Sequence, residues 1–298
     1  MPQQPNITAR GTTEATLLGA GAIGLWTSLA ALTALAGPIP PFQLSAMTFA
    51  IGAAVGLVWA RLRGQPLRTL KTLPPASLAL GIYGLLLFHV CYFAALQRAP
   101  VIEASLIIYL WPLLIVLFSG LLPGRSGGSG LGLRHIAGAF LGLCGTGLVL
   151  LGGGQDLAFG GQLSGYLLAG AAAVIWASYS VGSRLFTNVP SIAVTANCTA
   201  TAIGALLAHM ASETTVWPAS PIAWGAVIML GLGPVGLAFY LWDEGMKGGN
   251  IRLLGTLAYA TPLLSTLLLS ALGFGRPSAV LWLAAVLIAA GALLAGRP

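Results

Sequence analysis

Apolar segments about twenty residues long follow one another almost from one end of this chain to the other. A helix of that length crosses the hydrocarbon core of a bilayer. The ten predicted spans cover residues 14–35, 41–61, 76–96, 101–122, 134–153, 164–184, 192–211, 222–245, 251–272 and 277–295. Apolar residues make up 57% of the 298 residues and charged residues only 6%. The pattern therefore predicts an all-α integral membrane protein and excludes a water-soluble globular one.

The second half of the chain repeats the first with an offset of about 150 residues. The sequence Tyr-Leu-Trp-Pro-Leu-Leu at 109–114 returns as Tyr-Ala-Thr-Pro-Leu-Leu at 259–264. In the same ungapped register Trp26 falls on Trp176. A match that holds over so many residues without a gap indicates internal duplication rather than chance apolar similarity.

The duplication predicts two repeats, residues 1–153 and 154–298, with five spans in each. Because five is an odd number, the second repeat enters the membrane from the opposite side and is inverted relative to the first. Inverted repeats around a central cavity are typical of secondary transporters, in which the two repeats open a shared site to each side in turn. The topology thus favours transport as the function.

The basic residues lie mostly on one side of the predicted topology. If the N-terminus is cytoplasmic, eleven of the thirteen Lys and Arg residues fall on the cytoplasmic side, and only Arg98 and Arg276 fall on the other. This asymmetry predicts that both termini are cytoplasmic. It also accounts for the net charge of +7 without a nucleic-acid partner. Arg98 and Glu103 flank an outer turn, where they are expected to pair locally.

Aromatic and polar side chains interrupt the apolar pattern of the third span. Phe88 and Tyr92 are four residues apart and share a helix face, with His89 beside them. Ionisable groups inside a membrane mostly face a cavity or a pathway. We therefore predict that Phe88, His89 and Tyr92 bind the substrate, with core packing as the alternative role of the histidine.

Prolines interrupt the fourth and ninth spans at corresponding positions, Pro112 and Pro262. A proline inside a helix removes a backbone hydrogen bond and kinks the helix. Paired interruptions of this kind point to the transport site. We predict hinges at the two prolines and substrate-binding roles for the neighbouring Tyr109, Trp111 and Tyr259.

Three aromatic residues of the second repeat complete the predicted site: Trp176 and Tyr179 in the sixth span, and Tyr240 in the eighth. Trp176 lies deeper than the interfacial belt in which tryptophans usually anchor membrane proteins. A wide cavity explains this position, and core packing is the alternative.

The sequence offers little for other classes of function. The three cysteines, Cys91, Cys144 and Cys198, lie inside apolar spans without metal-ligand spacing, so no metal or cofactor is predicted. A membrane enzyme would need a catalytic motif or a mid-span carboxylate, and none occurs. A channel would need a charged pore lining or a filter sequence. The Gly138-xxx-Gly142 face suits helix association within the chain or between protomers, so a monomer and a homodimer are both compatible.

The ten spans, the inverted halves and the pattern AL-x(3)-P-x(11)-P, from Ala95 to Pro112, resemble the drug/metabolite transporter superfamily in its EamA-domain branch. The aromatic centre of the third and fourth spans is similar to that of the YddG-type amino-acid exporters of bacteria. The resemblance implies ten helices around a central cavity in the bacterial inner membrane, and export of neutral or aromatic amino acids. Cationic drugs such as viologens, or nucleotide sugars, are the alternative substrates. The resemblance assigns cavity roles to Phe88, His89, Tyr92, Tyr109, Trp111 and Trp176. The second repeat lacks a counterpart of Trp111, and the mode of energy coupling stays open between proton antiport and facilitated transport.

Overall fold

The computed structural model describes residues 9–121, 132–152, 162–186, 189–248, 254, 257–258 and 261–296. The regular secondary structure of these residues is helical. No strand occurs in those residues. The α-helices are α1 (Ala9–Thr27), α2 (Leu29–Ala36), α3 (Pro41–Leu62), α4 (Pro75–Ile82), α5 (Phe88–Arg98), α6 (Val101–Ile108), α7 (Trp111–Leu121), α8 (Leu133–Gly152), α9 (Leu163–Ser183), α10 (Ala193–Ser212), α11 (Pro221–Leu232), α12 (Ala238–Gly248), α13 (Thr261–Ala271) and α14 (Ala279–Gly296).

Within the described residues, six helical stretches are long and apolar enough to cross a membrane, each with 20 to 25 residues. They are Thr13–Ala36, Pro41–Leu62, Pro75–Arg98, Leu163–Ser183, Ala193–Ser212 and Pro221–Gly245. The shorter apolar helices Val101–Ile115, Ile136–Gly145 and Ala279–Gly291 fall on three further predicted spans. The all-α membrane class is confirmed, whereas the number of ten spans and the division into two repeats stay predictions.

Two of the long helices each contain one turn of π-helix. The first turn, Tyr83–Leu87, joins α4 to α5, and the second, Gly233–Leu237, joins α11 to α12. The two turns fall on each other in the register of the sequence repeat. Pro234 accounts for the second turn, because proline has no N–H to donate to the regular helical ladder. Single π turns inside α-helices occur frequently at functional sites.

The predicted first and fourth spans are each divided into two helices. Ser28 separates α1 from α2 and donates its hydroxyl to the Leu25 carbonyl at 2.7 Å, a local bond that competes with the helical ladder. The two segments still form one stretch long enough to cross a membrane, Thr13–Ala36, in agreement with the predicted first span. Tyr109 and Leu110 separate α6 from α7, immediately before Pro112.

Prolines occupy the second position of two of these helices. Pro112 follows Trp111 at the start of α7, and Pro262 follows Thr261 at the start of α13. Proline is tolerated in the first turn because the N–H groups there have no partner within the helix. Pro112 therefore lies at the beginning of a helical segment, whereas the residues directly before Thr261 lie outside the described part of the chain, and hinges at the two prolines stay a prediction.

Two of the helix pairs that approach closely through glycine correspond to each other in the repeat. In the pair α1 and α12, a Cβ atom on Gly245 would lie 2.6 Å from the Gly19 Cα atom. In the pair α5 and α9, a Cβ atom on Gly165 would lie 2.7 Å from the Ala99 Cβ atom. The sequence offset relates α1 to α9 and α12 to α5, so the two helix pairs are counterparts, with the contacting residues shifted by four positions. Small residues permit such close backbone packing between membrane helices.

The glycine face of α8 packs against α14 within the chain. A Cβ atom on Gly291 would lie 2.9 Å from the backbone nitrogen of Gly142. Ile136 and Phe140 of α8 are exposed instead, as expected for side chains that contact lipid. The sequence alone does not decide whether this glycine face packs within the chain or between protomers. In the structure it packs within the chain.

A carboxylate at the end of α10 caps the first turn of α3. Glu213 accepts hydrogen bonds from the backbone N–H groups of Phe42 and Gln43, each at 3.0 Å, and lies 2.9 Å from His209 Nδ1. We expect Glu213→Ala to lower the free energy of unfolding by about 1–2 kcal/mol, because first-turn N–H groups lose their acceptor. The melting temperature in detergent measures this change. The exposed Glu14 provides the control, and equal melting temperatures of Glu213→Ala and Glu14→Ala would contradict the capping role.

Candidate functional site

An aromatic cluster fills the space where α1, α3, α5, α7, α9 and α12 meet. Neighbouring rings have centroids 4.8 to 6.5 Å apart, the range in which aromatic pairs attract one another. The cluster consists of Trp26, Phe49, Phe88, His89, Tyr92, Phe93, Trp111, Trp176, Tyr179, Phe239 and Trp242. The structure thus brings together six of the predicted site residues: Phe88, His89, Tyr92, Trp111, Trp176 and Tyr179.

Trp176 of α9 is the centre of the aromatic cluster. Its ring contacts five others, and the nearest are Phe88 at 5.0 Å and Tyr179 at 5.3 Å between centroids. Trp26 lies edge-on at 5.9 Å and Trp111 edge-on at 6.5 Å. A ligand ring that enters the cluster would therefore meet both faces and edges of indole and phenyl groups, which favours aromatic or apolar ligands.

His89 is fully buried within the cluster and bound to the first π turn. Its Nδ1 lies 2.9 Å from the Leu85 carbonyl oxygen, and its ring is edge-on to Phe49 at 4.8 Å. Because a carbonyl can only accept, Nδ1 carries the proton, and in the neutral ring Nε2 is an acceptor. His89 therefore joins the π turn to the aromatic cluster.

The repeat-related tryptophans Trp26 and Trp176 have different hydrogen bonding. The indole N–H of Trp26 donates to the Pro234 carbonyl of the second π turn at 3.1 Å. The structure gives Trp176 no hydrogen bond to any residue in the described part of the chain. Trp26 is thus held by the protein, while the indole N–H of Trp176 is available to a ligand.

The remaining predicted residues lie at other places. Tyr109 follows α6 and is buried in the same hydrophobic core as Tyr92 and Trp111 of the cluster. Tyr240 lies between α3 and α10, where its hydroxyl is 3.3 Å from both the Gly52 carbonyl and Thr195 Oγ1, and it is separate from the cluster. Tyr259 lies outside the described residues, as do the side chains of the predicted hinges Pro112 and Pro262.

Several cluster members were not predicted from the sequence. The repeat register contained a signal for two of them, because Phe239 falls on His89 and Trp242 falls on Tyr92. Phe49 has no such signal, since the repeat places it opposite a threonine at position 199. Only the packing of α3 against α5 brings Phe49 to His89.

Glu103 is buried and bound by a partner that the sequence did not predict. The hydroxyl of Tyr166 in α9 donates to Glu103 Oε2, so the first residues of α6 are tied to the second half of the chain. Arg98, the expected ion-pair partner, makes no ion pair with Glu103 among the described residues. Burial of a carboxylate requires such a donor.

We expect Tyr166→Phe to destabilise the protein by about 1–3 kcal/mol, because it leaves a buried carboxylate without its donor. Thermal unfolding in detergent measures the effect. Tyr83→Phe is a matched control, since the Tyr83 hydroxyl lies 2.9 Å from Ser178 Oγ at an exposed position and contributes about 0.5 kcal/mol or less. Equal shifts in melting temperature for the two variants would show that the bond to Glu103 is not needed.

No group of three His, Cys, Asp or Glu residues in the described part of the chain could hold a metal ion. The model of the EamA-like transporter family matches the chain twice, at residues 14–151 and at residues 163–297. The chain belongs to the EamA-like transporter family. With its apolar helices, this EamA-like transporter is a multi-pass membrane protein.

Individual relatives align with nearly the whole transporter. It is 50% identical to the aromatic amino acid exporter YddG of Ancylobacter novellus, over 95% of this chain and 96% of that protein. It is 27% identical to the aromatic amino acid exporter YddG of Salmonella typhimurium, over 94% of this chain and 96% of that protein. A solved crystal structure at 49% sequence identity superposes with a TM-score of 0.76, over 95% of this chain and 97% of the other.

Proposed function

We propose that this EamA-like transporter exports aromatic amino acids and related neutral amino acids from the cytoplasm across the bacterial inner membrane. The observation that carries the proposal is the aromatic cluster around Trp176, whose rings offer faces and edges to an aromatic side chain. A relative with half of its residues identical bears the name aromatic amino acid exporter, which supports the same substrate class.

The transporter is proposed to consist of ten spans in two inverted five-helix repeats, residues 1–153 and 154–298. The double family match and the corresponding π turns support this architecture. Two pairs of repeat-related residues also touch each other: Trp26 with Trp176 at 5.9 Å, and His89 with Phe239 at 5.8 Å. Residues that contact their own counterparts lie close to the axis that relates the repeats. The aromatic cluster therefore lies at the pseudo-twofold axis, where an alternately accessible site is expected.

Both termini are proposed to be cytoplasmic, as the distribution of basic residues predicts. In this orientation the contact of Gly19 with Gly245 closes the cytoplasmic end, and that of Gly165 with Ala99 closes the opposite end. Because the two helix pairs are counterparts in the repeat, loosening one contact while keeping the other exposes the same site to one side at a time.

Competition for tryptophan counterflow in proteoliposomes tests the substrate class. Liposomes containing the purified protein are loaded with unlabelled tryptophan, and uptake of labelled tryptophan is followed with competitors outside. We expect phenylalanine and tyrosine to compete well and a nucleotide sugar not to compete. Exchange of methyl viologen or a nucleotide sugar, with none of tryptophan, would refute the amino-acid proposal and leave the family assignment intact. Methyl viologen is the informative alternative, because aromatic faces also bind cations.

A further inference from the structure

Most serine and threonine hydroxyls in these helices have a local hydrogen-bond acceptor. Thr33, Ser45, Thr48 and Thr199 each donate to the carbonyl four residues earlier, at 2.7 to 2.8 Å. Such a bond suits a membrane helix, because lipid offers no alternative partner. A buried hydroxyl that lacks any partner therefore needs an explanation.

Two further buried hydroxyls lie in helices that contact each other, Ser105 in α6 and Ser265 in α13. Their side chains are 3% and 1% exposed, and neither Oγ atom makes a hydrogen bond. Ser105 lies one helical turn before Tyr109 on the same face of α6. Ser265 of α13 interacts with the Tyr109 hydroxyl. The two serines thus both lie near Tyr109, which belongs to the same buried core as Tyr92 and Trp111 of the cluster.

We propose that Ser105, Ser265 and Tyr109 form a hydroxyl subsite that binds the zwitterionic head group of the amino acid, while the aromatic cluster holds its side chain. The inference rests on the proposed function and deepens it. A hydroxyl donates to a carboxylate and accepts from an ammonium group, so it serves both halves of the head group. It also adds no charge to the membrane interior, where an unpaired charge is costly.

The subsite explains how hydroxyl groups can select an amino acid. Its three side chains are neutral and provide no countercharge to the head group, and the carboxylate of Asp243 acts on Tyr179 of the cluster instead. A zwitterion has no net charge and needs no countercharge, whereas an amine or a carboxylic acid does. Tryptamine and indole-3-propionate, which each keep one charged group of tryptophan, are therefore expected to compete less well than tryptophan itself.

The double variant Ser105→Ala and Ser265→Ala tests the subsite in tryptophan counterflow. We expect the KM for tryptophan to rise about tenfold or more, because a hydrogen bond to a charged group contributes about this factor. The inhibition constant of indole, which has the ring without the head group, should stay within about twofold of the wild-type value. Thr201→Val is the matched control, since Thr201 is equally buried and unpartnered but lies in α10, which packs chiefly against α3. It should change neither constant.

Each result of this experiment has a defined meaning. An unchanged KM for tryptophan in the double variant would overturn the subsite and leave the proposed function standing. An equal loss of affinity for tryptophan and indole would also overturn it, because the serines would then shape the cavity instead of recognising the head group. Absence of tryptophan exchange by the wild-type protein would refute the proposed function, and the subsite with it.

Discussion

Trp176→Ala is expected to reduce exchange of aromatic amino acids about 100-fold or more. The substitution removes the ring that contacts Trp26, Phe88, Trp111, Tyr179 and Phe239 at once. Truncation of a buried tryptophan to alanine typically lowers the free energy of unfolding by about 3–5 kcal/mol. In substrate binding, a loss of about 2.7 kcal/mol already corresponds to a factor of 100 in affinity. The initial rate of tryptophan counterflow at a fixed concentration measures the effect.

Two variants separate loss of the site from loss of the fold. Trp176→Phe keeps an aromatic ring and should retain a measurable fraction of the exchange. Trp217→Ala removes an exposed tryptophan that stacks on Trp224 with centroids 5.9 Å apart and pairs with no ring of the aromatic cluster, so it should leave exchange unchanged. If Trp176→Ala exchanged tryptophan within about threefold of the wild-type rate while remaining folded, the aromatic cluster would not be the substrate site.

Leucine at Gly245 or at Gly165 is expected to reduce turnover by about tenfold to 100-fold, because each substitution prevents closure of one end of the transporter. The Cβ atom at position 245 would overlap the backbone of Gly19, and the one at position 165 would overlap the backbone of Arg98 and Ala99. Backbone atoms cannot move aside as a flexible side chain can. Each variant therefore shifts the conformational equilibrium towards the state in which its own contact is open. A tenfold to 100-fold shift leaves most of the transporter molecules in that state.

The direction of the trap distinguishes the two variants. A cysteine introduced at Phe88, in a background without the native cysteines, reports access to the aromatic cluster through its reaction with an impermeant thiol reagent. Gly245→Leu should raise the reactivity from the cytoplasmic side, and Gly165→Leu from the opposite side. Gly225→Leu is the control, since a Cβ atom there meets no other atom within 4 Å. The same sidedness for both glycine variants would contradict the assignment of the two contacts to opposite ends.

The sequence predicts the membrane class well because a membrane-spanning helix requires a continuous apolar segment about twenty residues long. Interruptions within such a helix produce a weaker sequence signal. Pro112 lies just after the break between α6 and α7, but Ser28 divides α1 from α2 without a proline or a glycine beside it. The second π turn contains Pro234, while the first can be found only through the repeat register.

The aromatic centre of the site could be predicted because aromatic residues in the middle of apolar spans are conspicuous. Contacts between helices that are distant in sequence could not be predicted. Tyr240 looks like a cavity residue in the sequence, yet the rotation of α12 directs it to Thr195 of α10. Glu103 follows Arg98 by five residues in the chain, but the hydrogen-bond partner of the buried Glu103 carboxylate is Tyr166. Both outcomes depend on which faces of two helices meet, and spacing along one helix does not determine that.

Trans-stimulation of tryptophan efflux tests the central claim that one aromatic site is exposed alternately to the two sides. Proteoliposomes loaded with labelled tryptophan are diluted into buffer with or without unlabelled tryptophan, and the initial rate of efflux is measured. We predict that external tryptophan accelerates efflux and that the acceleration saturates, because a loaded carrier returns faster than an empty one. Efflux that grows linearly with the internal concentration, and that external tryptophan leaves unchanged, would contradict the account and indicate a channel.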